Sequence, residues 1–267
     1  MHAGASRLRV CYFNRSYWPD TGATGQLLTE LAEDLVKTHG IDVTVVTGVP
    51  LSGERMPAVE ARNGVRIIRA RGTTLSPRRF TGRAANYLTY FFSALWIAVR
   101  LPKQDVTIAL TDPPIIGLAA LAARPRHGMV FLCQDIFPEV ASLLEDFRSP
   151  LVNALLERRS RLLIARAVRV IALGETMAQR LIEGKGAAPS RLRIIHNWAD
   201  ASAIVPSDKD NAFSRAHGLD HRFVVLHAGN MGLSQNLDMV IEAAAALRDR
   251  DEVVFLFIGD GNRRPAL

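Results

Sequence analysis

Cysteine is scarce: two in 267 residues, Cys11 and Cys133, each inside an apolar, strand-like run. That excludes a disulfide scaffold and fits buried, reduced thiols in a reducing compartment. No apolar run reaches the roughly 20 residues that cross a bilayer. The nearest candidate, Ala84 to Val99, has 16 residues without a charge, and it contains Asn86 and several hydroxyls. The opening MHAGASRLRVCYF lacks an apolar stretch followed by a small-residue cleavage site, so no secretory signal is expected. A Gly-Lys-Ser phosphate loop and a Gly-x-Ser-x-Gly elbow are both missing, which argues against P-loop nucleotide hydrolysis and serine hydrolysis. The seven histidines are scattered, with no i, i+4 ligand pair, so no metal is expected.

Acid is missing from one long segment. Nine basic residues lie between Arg62 and Lys103 with no Asp or Glu among them. The chain's net charge is +7, so the remainder is slightly acidic (+7 minus +9 is −2). A local basic patch implies a local anionic partner. The segment contains Arg78, Arg79 and Arg83, and it runs into an apolar stretch with Tyr87, Tyr90, Phe91, Phe92 and Trp96. Two readings stay open. One is an interfacial element, with Arg78, Arg79, Arg83 and Trp96 contacting an anionic membrane surface. The other is a core helix buried against a sheet with solvated arginines. No nucleic-acid-binding motif accompanies the charge, so nucleic acid is not an expected partner.

What is present is alternation. Strands are expected at Leu8–Phe13, Asp42–Thr47, Val65–Ile68, Val106–Leu110, Met129–Cys133, Val168–Leu173 and Arg193–Ile195. Between them, helices are expected at Gln26–Lys37, Thr81–Leu101, Ile115–Ala123, Leu151–Ala167 and Glu175–Glu183. This is the pattern of a doubly wound, parallel α/β sheet, with ligands at the carboxyl edge. The pattern restarts after residues 201–210, read as a linker, with strand Phe223–His227, helix Leu237–Arg248 and strand Val253–Ile258. The expected domains are therefore 1–200 and 211–267, the latter a single βαβ unit.

Several residues could carry chemistry. Gly22 and Gly25 open the first helix, where backbone N–H groups favour a phosphate; a tight turn is the alternative. Asp112, Asp135 and Glu139 lie at or just past strand ends, where carboxylates orient hydroxyls or accept protons; local turn-capping competes with this for Asp112 and Asp135.

At this point the chain resembles family 4 glycosyltransferases of the GT-B fold, of the type that builds bacterial surface polysaccharide. The resemblance is carried by Phe13-Asn-Arg-Ser-Tyr-Trp-Pro19 with Gly22 and Gly25, Thr111-Asp-Pro-Pro114, Gln134-Asp-Ile-Phe-Pro-Glu139, Ile195-His-Asn-Trp-Ala-Asp200, Ala228-Gly-Asn-Met-Gly232 and Phe257-Ile-Gly-Asp-Gly261. It implies two Rossmann-like domains, an acceptor side before residue 200 and a nucleotide-sugar side after 210. It implies retaining hexosyl transfer without a metal or other cofactor, from a nucleotide-sugar to a lipid-linked or glycan acceptor, in the cytoplasm at the inner face of the cell membrane. Gly22, Gly25, Gly229, Asn230 and Gln235 would face the donor phosphates. Asp112, Glu139, Asn197 and Asp200 would line the acceptor cleft, and Asp135 would sit where many relatives place a histidine. Gln235 stands near the family's lysine, and no arginine occurs between Arg222 and Arg248. The family's Glu-x7-Glu segment would fall after residue 267. A truncated or split acceptor-binding module, completed by a separate chain, is therefore the alternative to a working enzyme. A nucleotide-dependent oxidoreductase is disfavoured, because no glycine fingerprint precedes an acid about 20 residues on.

Overall fold

The computed structural model describes residues 7–50, 52–75, 80–142, 149–232, 235–261 and 263–267. The chain divides into two compact units, one ending at Trp198 and one spanning Ala199–Leu267. The stretch 201–210, expected as a linker, falls within the second unit.

The first unit holds strands β1 (Arg9–Phe13), β2 (Asp42–Thr47), β3 (Val59–Arg62), β4 (Val65–Arg69), β5 (Val106–Ala109), β6 (Met129–Leu132), β7 (Arg169–Ala172) and β8 (Leu192–Ile194). Its helices are α1 (Ala23–His39), α2 (Phe80–Arg100), α3 (Gly117–Ala122), α4 (Glu139–Ser142), α5 (Pro150–Arg166) and α6 (Glu175–Lys185). The strands form one sheet in the order β3-β4-β2-β1-β5-β6-β7-β8. Every pairing is parallel except β3 with β4.

The local reasons are ordinary chemistry. β2 reads DVTVVT, and Val43, Val45 and Val46 are wholly buried, as a strand covered on both faces requires. α1 stops at Gly40, whose left-handed φ of 61° lets its N–H reach back to Leu35 and Val36. β3 was not expected from sequence. It is a short edge strand, joined to β4 by Asn63-Gly64 at φ 48° and 82°, the signature of a two-residue hairpin.

One sheet face packs against α2, α3, α5 and α6, around Tyr90, Phe91, Ile116, Met129 and Leu163. Each fully buried side chain of that size is worth about 2 kcal/mol of transfer free energy. Cys11 and Cys133 lie in this core as free thiols, and burial pushes the Cys133 thiol up to about 12. The other face packs α1 against β1, β2 and β4. Farther along that face, Ile108, Val130, Leu132 and Ile171 line an apolar cavity of about 400 Å³ shared with α1 and residues 195–198.

The second unit contains α7 (Ala212–Ala216), β9 (Phe223–Ala228), α8 (Asp238–Ala246) and β10 (Val253–Ile258), with β9 and β10 in parallel register. α7 was not expected; Asn211 and Ser214 cap it reciprocally.

Candidate functional site

Strand order decides where to look. From β1 the chain runs outward on one side through β2 and β4, and on the other through β5 to β8. The carboxyl ends of β1 and β5 therefore flank the switch point, the usual binding crevice of such sheets.

Asp112 follows β5 at that crevice. Its backbone carbonyl accepts from the Arg15 N–H at 2.8 Å. Its carboxylate accepts from Arg15 Nε at 3.3 Å and from the Ser16 hydroxyl at 3.2 Å. The Tyr87 phenol, from α2, lies within the electrostatic reach of the same carboxylate. Burial first, then the Asp112 charge, pushes that phenol up to about 12. The Arg15 guanidinium lies 5.4 Å from the Tyr87 ring centre. The loop behind it is riveted down: the Arg15 carbonyl accepts from the Thr47 hydroxyl at 2.8 Å and from the Gly48 N–H at 2.9 Å. A methyl on Gly48 would sit 3.0 Å from Arg15, so glycine permits this approach.

Asp135 stands next to this cluster. Its N–H donates to the Thr111 hydroxyl at 3.3 Å. Burial, and then repulsion from Asp112, holds its carboxyl above the ordinary range. Asp112 and Asp135 are thus brought together.

The other expected residues have surroundings of their own. Glu139 is tied to buried Lys185 at 2.8 Å, which also pairs with Glu157. Asn197 lines the 400 Å³ cavity on the α1 face. Asp200, in the second unit, accepts from Ser202 and Ala203 in a local turn, and these hydrogen bonds hold its carboxyl below the usual range. Gly22 is the N-cap of α1, open on its Cα side, whereas Gly25 is buried with the Asp20 carbonyl and Tyr17 N–H 3.4 Å from where a methyl would lie. Gly229, at φ 151°, meets Gly259, at φ 150°, so closely that a methyl on Gly259 would strike the Gly229 carbonyl. Asn230 and Gln235 crowd Gly232, 2.6 and 2.7 Å from where a methyl there would lie.

The basic segment is less free than its composition implies. Arg62 pairs with Glu33, and buried Arg69 pairs with Glu60 at 2.6 Å. Both guanidiniums stack on Trp18, at 4.9 and 5.9 Å. Arg78 and Arg79 lie outside the described residues. Arg83 lines a cavity on the inner side of α2, with Arg15, Asn86, Tyr87 and Tyr90. Trp96 lies on another face of α2, 62% exposed, with Arg100 stacked on it. Among the described residues, no cluster of three His, Cys, Asp or Glu side chains could hold a metal ion.

Residues 22–198 match the model of the glycosyl transferase 4-like domain. The chain belongs to that family. The match takes in nearly all of the first unit, including α2 and the switch-point carboxylates of this glycosyl transferase 4-like domain. The chain is similar to D-inositol 3-phosphate glycosyltransferase 1 of Catenulispora acidiphila, 36% identical over 102 residues, covering 36% of this chain and 24% of that protein. WcaI of Escherichia coli K12, named as a colanic acid biosynthesis glycosyl transferase, is 30% identical over 101 residues, covering 37% of this chain and 24% of WcaI. The matched stretch is thus about a quarter of each curated relative. The Anabaena HepE structure in complex with UDP and glucose shares the fold, with a TM-score of 0.62 at 16% identity over 97% of this chain and 63% of HepE. The architecture is that of GT-B glycosyltransferases.

Sequence reasoning singles out Asp112 and Asp135, which the structure brings close together, but not the residues that surround them. Arg15 and Ser16 fall within the Phe13–Pro19 motif, and in sequence Tyr87 reads as one aromatic of an apolar helix. The usable signal was the tyrosine itself, a polar tip on a helix otherwise reading as core.

Proposed function

We propose that this chain acts in transfer of a sugar from a nucleotide-sugar donor to a lipid-linked or glycan acceptor during cell-surface polysaccharide synthesis. The observation that carries this is the Asp112–Asp135 pair at the switch point of a glycosyl transferase 4-like domain. The donor class is supported by HepE, whose fold this chain shares and which is a complex with UDP and glucose. The polysaccharide setting is supported by the name of WcaI.

In this proposal Asp135 lies beside the reacting sugar. Its raised carboxyl suits proton transfer or close approach to developing positive charge. Asp112 positions Arg15 and Tyr87. Gly22, Gly25, Gly229, Asn230 and Gln235 are the proposed phosphate-facing positions, and transfer proceeds with retention and without a metal.

The proposed location is the cytoplasmic face of the membrane, held peripherally. Among the described residues no helix is long and apolar enough to cross a bilayer. α2 nevertheless exposes Leu88, Phe92, Trp96 and Val99, spaced to share one face, with Arg100 and Lys103 at its end. Aromatics beside cations suit the headgroup layer of an anionic membrane.

The test is label transfer. Purified chain, alone and joined to the C-terminal half of a relative, is incubated with bacterial membranes and a panel of radiolabelled nucleotide-sugars. Label should enter the lipid extract with one donor and fall in Asp135→Asn. Acceptor binding without transfer by either form would instead favour the non-catalytic acceptor-binding module.

A further inference from the structure

The inner side of α2 carries a feature that neither the family match nor the expected site residues assign. A cavity of about 330 Å³ opens at the carboxyl edge of the sheet, between the ends of β1, β2 and β4 and the first half of α2. That volume is at the small end of ligand pockets and suits one substituted monosaccharide. All of its lining lies within the first unit.

Its charge is one-sided. Among the described residues two arginines, Arg15 and Arg83, line it, and no carboxylate does. Asp112 lies behind Arg15 and engages its Nε. The two terminal nitrogens of Arg15 make no hydrogen bond among the described residues, so the fork is anchored at its base and open at its tip. An arginine held this way is preorganised for a planar or tetrahedral oxyanion.

The remaining walls combine an aromatic ring with a pinned loop, a pairing that suits a sugar. The Tyr87 ring, with the Arg15 guanidinium near it, offers an apolar face. The 72–75 loop, also in the lining, is pinned by Asn86, which accepts from the Leu75 N–H at 2.9 Å and the Thr73 hydroxyl at 2.8 Å and donates to the Leu75 carbonyl at 2.8 Å. Thr89 holds the same loop through the Thr73 N–H at 3.0 Å. A wall fixed by four hydrogen bonds does not need ordering when a ligand enters.

We propose that this cavity is an acceptor subsite for a sugar bearing an acidic group, phosphate or carboxylate, gripped by Arg15 and Arg83. It rests on the glycosyltransferase reading only for the word acceptor; the binding chemistry stands on the cavity itself.

The experiment is binding by calorimetry, without donor and without turnover. The probes are glucose, glucose 1-phosphate, glucuronate and inorganic phosphate. Charge-assisted contacts predict that at least one acidic sugar binds about tenfold or more tighter than glucose, and loses that advantage as salt rises. Arg83→Gln and Arg15→Gln should each remove most of the advantage, while Lys37→Gln on exposed α1 should leave it intact. Glucose 1-phosphate ahead of glucuronate identifies phosphate as the recognised group, and the reverse order identifies carboxylate. Inorganic phosphate binding as well as either sugar would overturn the sugar part of the proposal. Equal affinity for glucose and both acidic sugars would overturn it whole, as would an advantage that survives both arginine substitutions. Because Arg15→Gln also strips Asp112 of a partner, the salt dependence of the unmodified chain provides an independent reading. Failure of label transfer with acidic-sugar binding intact removes the activity and keeps the subsite; the converse keeps the activity and removes the subsite.

Discussion

The two long faces of α2 differ in almost every respect although they share 21 residues. The inner face carries Arg83, Asn86, Tyr87 and Tyr90: Asn86 holds the 72–75 loop, Tyr90 donates to the Val46 carbonyl of β2, and Arg83 and Tyr87 line the cavity. The outer face carries Leu88, Phe92, Trp96 and Val99, all exposed. From composition these merge into one apolar, basic helix, which left a core role and an interfacial role as rivals. In the structure the two sets of residues lie on different faces of the helix. A helix that turns its polar groups inward can still expose an apolar stripe outward.

The largest effect should come from breaking the inner face at its anchor. Asp112→Ala leaves the partly buried Arg15 guanidinium and the Ser16 hydroxyl without their acceptor. It should cost about 2–4 kcal/mol in urea unfolding. A loss below about 1 kcal/mol would show that water replaces the carboxylate freely.

Next is the outer face. Phe92→Ser with Trp96→Ser should reduce binding to anionic vesicles by about tenfold or more, because two exposed aromatics lose their apolar contact. Thermal stability should stay within about 0.5 kcal/mol, as for most surface changes.

A finer cut on the inner face is Asn86→Ala. It removes three hydrogen bonds to the 72–75 loop and should cost about 1 kcal/mol. Amide exchange at Leu75 should accelerate while exchange in β1 does not change.

The smallest effect concerns Asp135 and is read from pH. Its folded carboxyl titrates above the ordinary value, so the folded state holds that proton more tightly than the unfolded state. Stability from this source is present at acid pH and is lost as pH rises through the folded value. Asp135→Asn should therefore melt higher than the parent at neutral pH, and the gap should close as pH falls below about 3.9, the free carboxyl value. A gap that widens toward acid would reverse the sign.

Much of the architecture was legible because buried parallel strands announce themselves: DVTVVT and VVFLFI were placed to the residue. β3 was not, since VEAR is short, half polar and at an edge, although Asn63-Gly64 after it was the available cue. The positions of Asp112 and Asp135 just past strand ends were legible from the strand pattern. Their partners were not, because Arg15 and Tyr87 lie 97 and 25 residues from Asp112 in sequence. The basic segment misled for a related reason. Glu33 and Glu60, which neutralise Arg62 and Arg69, fall outside the stretch whose charges were counted. A charge tally along the chain does not see a pairing made across the fold.

The measurement that bears most directly on the division of α2 is a double dissociation on two variants. Arg83→Gln and the Phe92→Ser, Trp96→Ser pair are each assayed for acidic-sugar binding and for sedimentation with anionic vesicles. Arg83→Gln should lose the sugar and keep the vesicles, and the aromatic pair should do the reverse. Loss of both functions in either variant, with the fold intact by circular dichroism, would contradict the separation of the two faces.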